Sequence, residues 1–159
     1  MRLSVRAIGR LKASPEQALA VDYLRRAEKL GSRAGIRSVS LIEIPESRAG
    51  TPSLRQHDET DRLLAAVPAG AIVIALDERG EEMTSLSFAA ELRRLVDGGS
   101  KHVVFLIGGA DGHAPEIRAR YRLLSLGRMT WPHALVRLML AEQIYRSVTI
   151  LVNHPYHRA

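Results

Sequence analysis

Residues 102–112 read HVVFLIGGADG. From Val103 to Ile107 the side chains are apolar without interruption, and a glycine pair follows at once. Such a run, closed by glycine, is the pattern of a strand buried on both faces, as in a parallel sheet with helices on each side. AIVIALD at 71–77 repeats it. Between the two, RGEEMTS turns the chain into a helix that carries Phe88, Leu92, Leu95 and Val96 and stops at Gly98 and Gly99. Apolar strands alternating with helices predict an α/β fold with a parallel core.

Working towards the N-terminus, RLSVRAIG sets Leu3, Val5 and Ala7 on one alternating face and ends in a glycine turn, which reads as a first strand. Ser14, Pro15 and Glu16 then supply an N-cap, a first-turn proline and an early acid for a helix through about Leu30. IRSVSLIEIP gives the next strand, ending at Pro45. The stretch after it combines a polar loop with a helix whose Leu63, Leu64 and Val67 face the core. The loop at Ser47–Leu54, with Gly50 and Pro52, reads as a mobile surface segment. Towards the C-terminus the pattern predicts a helix from about Pro115 to Leu124, a polar, glycine-containing stretch at Ser125–Arg128, and a helix over PHALVRLMLAEQIYRSVTI. No internal repeat or long linker divides the 159 residues, so the expectation is one domain, 1–159.

Composition narrows the function classes. A hydrophobic content of 46% suits a folded chain, and 23 Lys plus Arg against 17 Asp plus Glu give a formal charge of +6. The sequence pI of about 10.3 favours polyanionic partners without proving one. The absence of cysteine removes disulfides, thiolate catalysis and cysteine-ligated zinc or iron–sulfur clusters. The N-terminal MRLSVRAIG has no signal-like apolar core, and no apolar run approaches the length of a bilayer span, so the expectation is a cytoplasmic protein with no membrane partner.

Three segments carry the candidate site. Gly108, Gly109 and Gly112 follow a buried strand, where open parallel sheets bind ligands and glycine lets a ligand approach the backbone. The segment lacks both the full dinucleotide fingerprint and a phosphate-loop lysine, and a tight structural turn explains it equally well. Leu76 and Asp77 end the preceding strand and line the same crevice, or serve as core and turn residues. In SLGRMTWPHALVR, Gly127 permits backbone approach, Met129 and Trp131 contact a ligand or fill core, and Thr130 caps a helix that has Pro132 in its first turn.

On the last helix, Glu142 and Arg146 are spaced to pair, while Arg137 stands in an apolar stretch and needs a partner, a ligand or a subunit interface. The closing LVNHPYHRA ends an apolar, strand-like run with His154, Tyr156, His157 and Arg158. It offers a ring for stacking, imidazoles for proton transfer and a cation for phosphate. Two histidines alone make no zinc site, so no metal is expected.

The ordered set IGRLK, LIEIP, VIALDERG, FLIGGADG, LSLGRMTWPHALVRLMLAEQIYR and NHPYHR resembles, over essentially the whole chain, the bacterial and plastid 23S ribosomal RNA pseudouridine-N3 methyltransferases of the SPOUT superfamily. One variable place is Asp111, where relatives carry Glu or Asn. The resemblance implies a SPOUT fold, a parallel-sheet core with a C-terminal deep trefoil knot, working as a homodimer. Its implied cofactor is S-adenosylmethionine (SAM), held by Leu76, Gly108 and the loop Leu126, Gly127, Arg128, Met129, Thr130 and Trp131. The implied substrate is N3 of pseudouridine 1915 in helix 69 of 23S rRNA within assembled 70S ribosomes, with no DNA partner. Tyr156, His157, Arg158 and Arg146 match the residues associated with RNA binding or methyl transfer. A noncatalytic ribosome-binding or assembly protein is the competing reading, and SAM binding separates the two.

Overall fold

A computed structural model of the chain describes residues 1–11 and 13–157; Arg158 lies outside the described residues. Five strands, β1 (Arg2–Ile8), β2 (Ser38–Ile44), β3 (Ile72–Glu82), β4 (His102–Ile107) and β5 (Arg122–Ser125), form one sheet in the order β2-β1-β4-β3-β5. Every pairing is parallel. The helices are α1 (Pro15–Gly31), α2 (Pro52–Leu64), α3 (Ser85–Asp97), α4 (Pro115–Arg120) and α5 (His133–Leu151).

The strand alternation sorts the core into two layers. Leu3, Val5, Ile74, Leu76, Val103, Phe105 and Ile107 pack against Leu24 of α1, Phe88 and Leu92 of α3, and Leu140 and Ile144 of α5. Ile8, Val73, Val104 and Leu106 face the other way, against Leu63 of α2 and Ile117 of α4. With both faces covered, polar positions vanish from β4, which is why its sequence is continuously apolar. Helix starts follow local chemistry: Ser14 caps α1 by accepting from the Gln17 amide, and Thr51 caps α2 by accepting from Leu54.

The structure corrects several expectations. The strand at 71–77 does not turn at RGEE but continues to Glu82, pairing with β5 across a register shift between Leu76 and Glu81. Gly80 makes this possible, because a Cβ there would lie 2.6 Å from the Leu124 backbone. The helix expected to run to Leu124 ends at Arg120, and Arg122–Ser125 form the edge strand β5. The segment at 47–54 is anchored: α2 begins at Pro52, buried Ser47 donates its amide to Glu59, and its hydroxyl donates to Asp58 at 2.5 Å. Thr130 caps nothing; Pro132 occupies the N-cap of α5 and no side chain caps it. The apolar run before the tail is the end of α5, not a strand.

Arg137 needs no subunit interface to explain its burial. It is 2% exposed, pairs with Glu43 at 2.9 Å, and donates to the carbonyls of Ile8 and Gly9. The side chain therefore ties the start of α5 to the carboxyl end of β1 and to β2, satisfying in one place carbonyls that the sheet leaves open.

Candidate functional site

A cavity of about 630 Å³ opens beyond the ends of β4 and β5, beside the middle of β3. Its size falls within the ordinary range for small-molecule sites, and its place beyond the carboxyl ends of parallel strands is the usual one. Three walls come from the three segments picked out by sequence: Leu76–Glu78 after the first part of β3, Ile107–His113 after β4, and the Leu126–His133 loop between β5 and α5. Leu76, Gly108, Leu126, Gly127, Met129, Thr130 and Trp131 all line it. Arg128 does not; its side chain is 93% exposed and lies 3.5 Å from Glu82.

The backbone of the second wall is closely folded. The Gly112 amide donates to the Gly109 carbonyl at 3.0 Å, and a Cβ on Gly108 would stand 3.1 Å from the Gly112 carbonyl carbon and 3.3 Å from the His113 nitrogen. The glycine thus leaves a cradle that a side chain would fill.

Two ion pairs hold these walls. From α2, Arg55 grips Asp111 with Nε at 2.7 Å and Nη2 at 3.1 Å, and Gln56 donates to the Asp111 carbonyl at 2.6 Å. The Arg55 hydrogen bond holds the Asp111 carboxyl below its ordinary pKa. From α4, Arg118 Nε donates to Asp77 Oδ2 at 2.7 Å, and the Arg79 amide donates to Oδ1 at 3.0 Å. Burial pushes the Asp77 pKa up, but these partners outweigh it and the net shift is downward. Arg55, Gln56 and Arg118 escaped the sequence reading, since each meets its partner only through tertiary packing. His113, also in the wall, is 3% exposed; burial lowers its pKa, and neither ring nitrogen reaches a hydrogen-bond partner among the described residues.

The catalytic candidates assemble elsewhere. Arg146 Nε donates to Glu142 at 2.9 Å, as the spacing predicted, and its guanidinium sits 5.1 Å from the centre of the Tyr156 ring. Tyr156 packs on Tyr145 with ring centres 4.7 Å apart, donates to Glu142 at 3.1 Å, and lies 3.4 Å from the Tyr23 hydroxyl. Burial first, then Tyr23 and Glu142, raise its pKa, so the phenol stays protonated. His157 is half-buried, with both ring nitrogens unpaired among the described residues. Tyr23 and Glu142, which Tyr156 reaches, help to line a second cavity of about 500 Å³, together with Leu138 and others. The two cavities share Leu124, Leu126 and Gly127, so the loop after β5 is the wall between them. Among the described residues no group of His, Asp or Glu side chains forms a metal site, and no helix is long and apolar enough to cross a membrane.

The family model described as "Predicted SPOUT methyltransferase" matches residues 1–157. The chain is 48% identical to the ribosomal RNA large subunit methyltransferase H of Bradyrhizobium diazoefficiens over 160 residues, covering 100% of each. It is 48% identical to the protein of the same name from Rhodopseudomonas palustris, with the same coverage, and 49% identical to that of Nitrobacter hamburgensis, covering 99% of each. Among solved structures it overlaps loosely, at a TM-score of 0.49 and 22% identity over 93% of this chain and 97% of the other, with one described as "Structural insights into the 2-OH methylation of C/U34 on tRNA". The chain therefore belongs to the SPOUT methyltransferases, SAM-dependent enzymes with a parallel-sheet core and a C-terminal deep trefoil knot, and within them to the ribosomal RNA large subunit methyltransferase H family.

Proposed function

We propose that this protein, a single domain over 1–159, methylates N3 of pseudouridine 1915 in helix 69 of 23S rRNA within assembled 70S ribosomes. The observation that carries the reading is the convergence of Leu76, Gly108 and the Leu126–Trp131 loop on one cavity in a chain matched end to end by rRNA methyltransferases. The cavity suits SAM. It offers apolar walls for a purine, the cradle at Gly108, and a glycine at 127 whose φ of 119° suits close backbone approach.

When bound, SAM supplies a methyl group on a sulfonium, activated enough to need no covalent nucleophile from the protein. The protein's residues must then place N3 in line with that methyl and take the N3 proton away. His157 is the proton-handling group in this account. Arg158 stabilises the negative charge that develops on the ring or holds a phosphate, and Tyr156 stacks on or hydrogen-bonds the base. Arg146 holds Tyr156 in place through the cation–π contact and Glu142.

Within one chain none of Arg146, Tyr156 and His157 lines the first cavity, where Leu76, Gly108 and the 126–131 loop converge; Tyr156 instead reaches Tyr23 and Glu142, which line the second. This supports a homodimer in which the tail of one protomer serves the SAM cavity of its partner. The formal charge of +6 supports an RNA partner, and the setting is the cytoplasm. Transfer of radiolabelled methyl from SAM to purified 70S particles, set beside free 23S rRNA, tests the proposal. Labelling of the assembled particle supports it, and labelling of free RNA alone contradicts it.

A further inference from the structure

We infer that Arg118 recognises the methionine carboxylate of SAM. The inference rests on the reading of the strand-end cavity as the SAM site, and extends it to a side chain that neither the sequence nor the relatives' names assign. Among the described residues lining that cavity, Arg118 is the one arginine and there is no lysine, while Asp77, Glu78 and Asp111 supply carboxylates. SAM carries two cations, the sulfonium and the ammonium, and a single anion, the α-carboxylate. A guanidinium beside either cation repels it, so the favourable partner for Arg118 is the carboxylate.

Geometry prepares the side chain for this. Asp77, whose own side chain is 4% exposed, takes only Nε, at 2.7 Å. The second Asp77 oxygen is occupied by the Arg79 amide, so the carboxylate is used on both sides. The guanidinium is thereby fixed in orientation, and Nη2 lies beside the glycine turn, 3.3 Å from where a Cβ on Gly112 would stand. Neither terminal nitrogen makes a hydrogen bond among the described residues, and the side chain keeps 28% of its surface exposed. Two terminal N–H groups held in a plane match the two oxygens of a carboxylate. Asp111 does not compete for them, because Arg55 already holds both of its oxygens.

The test is calorimetric binding of SAM, S-adenosylhomocysteine and decarboxylated SAM to the full-length protein, first wild type and then Arg118→Gln and Arg118→Lys. Loss of the carboxylate is expected to weaken wild-type binding roughly 10- to 100-fold, the range for a hydrogen-bonded charged partner. Arg118→Gln should weaken SAM and S-adenosylhomocysteine by a similar factor and abolish the preference for the carboxylated ligand, with Arg118→Lys between the two. The wild-type comparison needs no substitution, so it can overturn the inference even if a variant fails to fold. Equal wild-type affinity for SAM and its decarboxylated form overturns the inference. So does an Arg118→Gln loss that falls equally on both ligands, or one that appears only in ribosome binding. Failure of the wild type to bind either SAM or S-adenosylhomocysteine would instead sink the SAM reading itself.

Discussion

Replacing Gly108 by alanine tests how the glycine turn makes the cavity. The new Cβ would meet the Gly112 carbonyl carbon at 3.1 Å, the Gly112 oxygen at 3.3 Å and the His113 nitrogen at 3.3 Å. All three are backbone atoms, so no flexible side chain can swing aside, and the turn must shift by a few tenths of an ångström. Overpacking of this kind costs about 1–3 kcal/mol. If that strain falls on the bound geometry, SAM affinity drops roughly 5- to 150-fold. Gly50→Ala is the matched control, because a Cβ there meets nothing within 4 Å. Calorimetric SAM titration of both variants, with thermal melts alongside, separates loss of the pocket from loss of the fold. A Gly108→Ala protein that binds SAM as the wild type does, with an unchanged melting temperature, would refute the claim that this turn is closed too tightly to admit a side chain.

His157→Ala should damage turnover more than SAM binding, and Arg158→Ala should weaken ribosome engagement, turnover or both; methylation assays paired with calorimetry check the division. Arg137→Met, which takes the guanidinium from Glu43 and from the carbonyls of Ile8 and Gly9, should destabilise the fold by about 3 kcal/mol in urea unfolding, the lower end for a broken buried pair because Glu43 keeps some solvent contact and its hydrogen bonds from the Leu11 amide and Gln17. His113 has a folded pKa below its ordinary value, so the unfolded chain binds more protons as pH falls through about 6.5 and stability declines there by at most about 1.4 kcal/mol per pH unit. The difference between wild-type and His113→Leu unfolding curves measured across that window should show this slope in the wild type alone.

The sequence made β3 and β4 readable because both faces of each are covered, so burial leaves an unbroken apolar run. β5 left no such trace. It has four residues, RLLS, at the sheet edge, and its partner is the polar extension of β3 whose Glu81 and Glu82 look like a turn. The three cavity walls were legible for a topological reason: two follow the ends of β4 and β5 and the third sits where the buried, apolar half of β3 gives way to its polar extension, so glycine and apolar residues stand out. The arginines that hold those walls were not. Arg55 and Asp111 are 56 residues apart, and Asp77 and Arg118 are 41 apart, so no local spacing announces either pair. In the tail, the chemistry of Tyr156 and His157 was readable while their position was not, since packing of Tyr156 on Tyr145 needs the chain to turn back along α5 after Asn153, and its contact with Tyr23 needs α1 alongside.

Base-resolved methylation mapping reads the chemistry and its position on the RNA at once. Purified protein and SAM would be incubated with 70S ribosomes that lack the modification, and the 23S rRNA mapped for new methyl groups. The account predicts a methyl on N3 of the helix 69 pseudouridine. A helix 69 that stays unmethylated, from a protein with measured SAM binding, would contradict it.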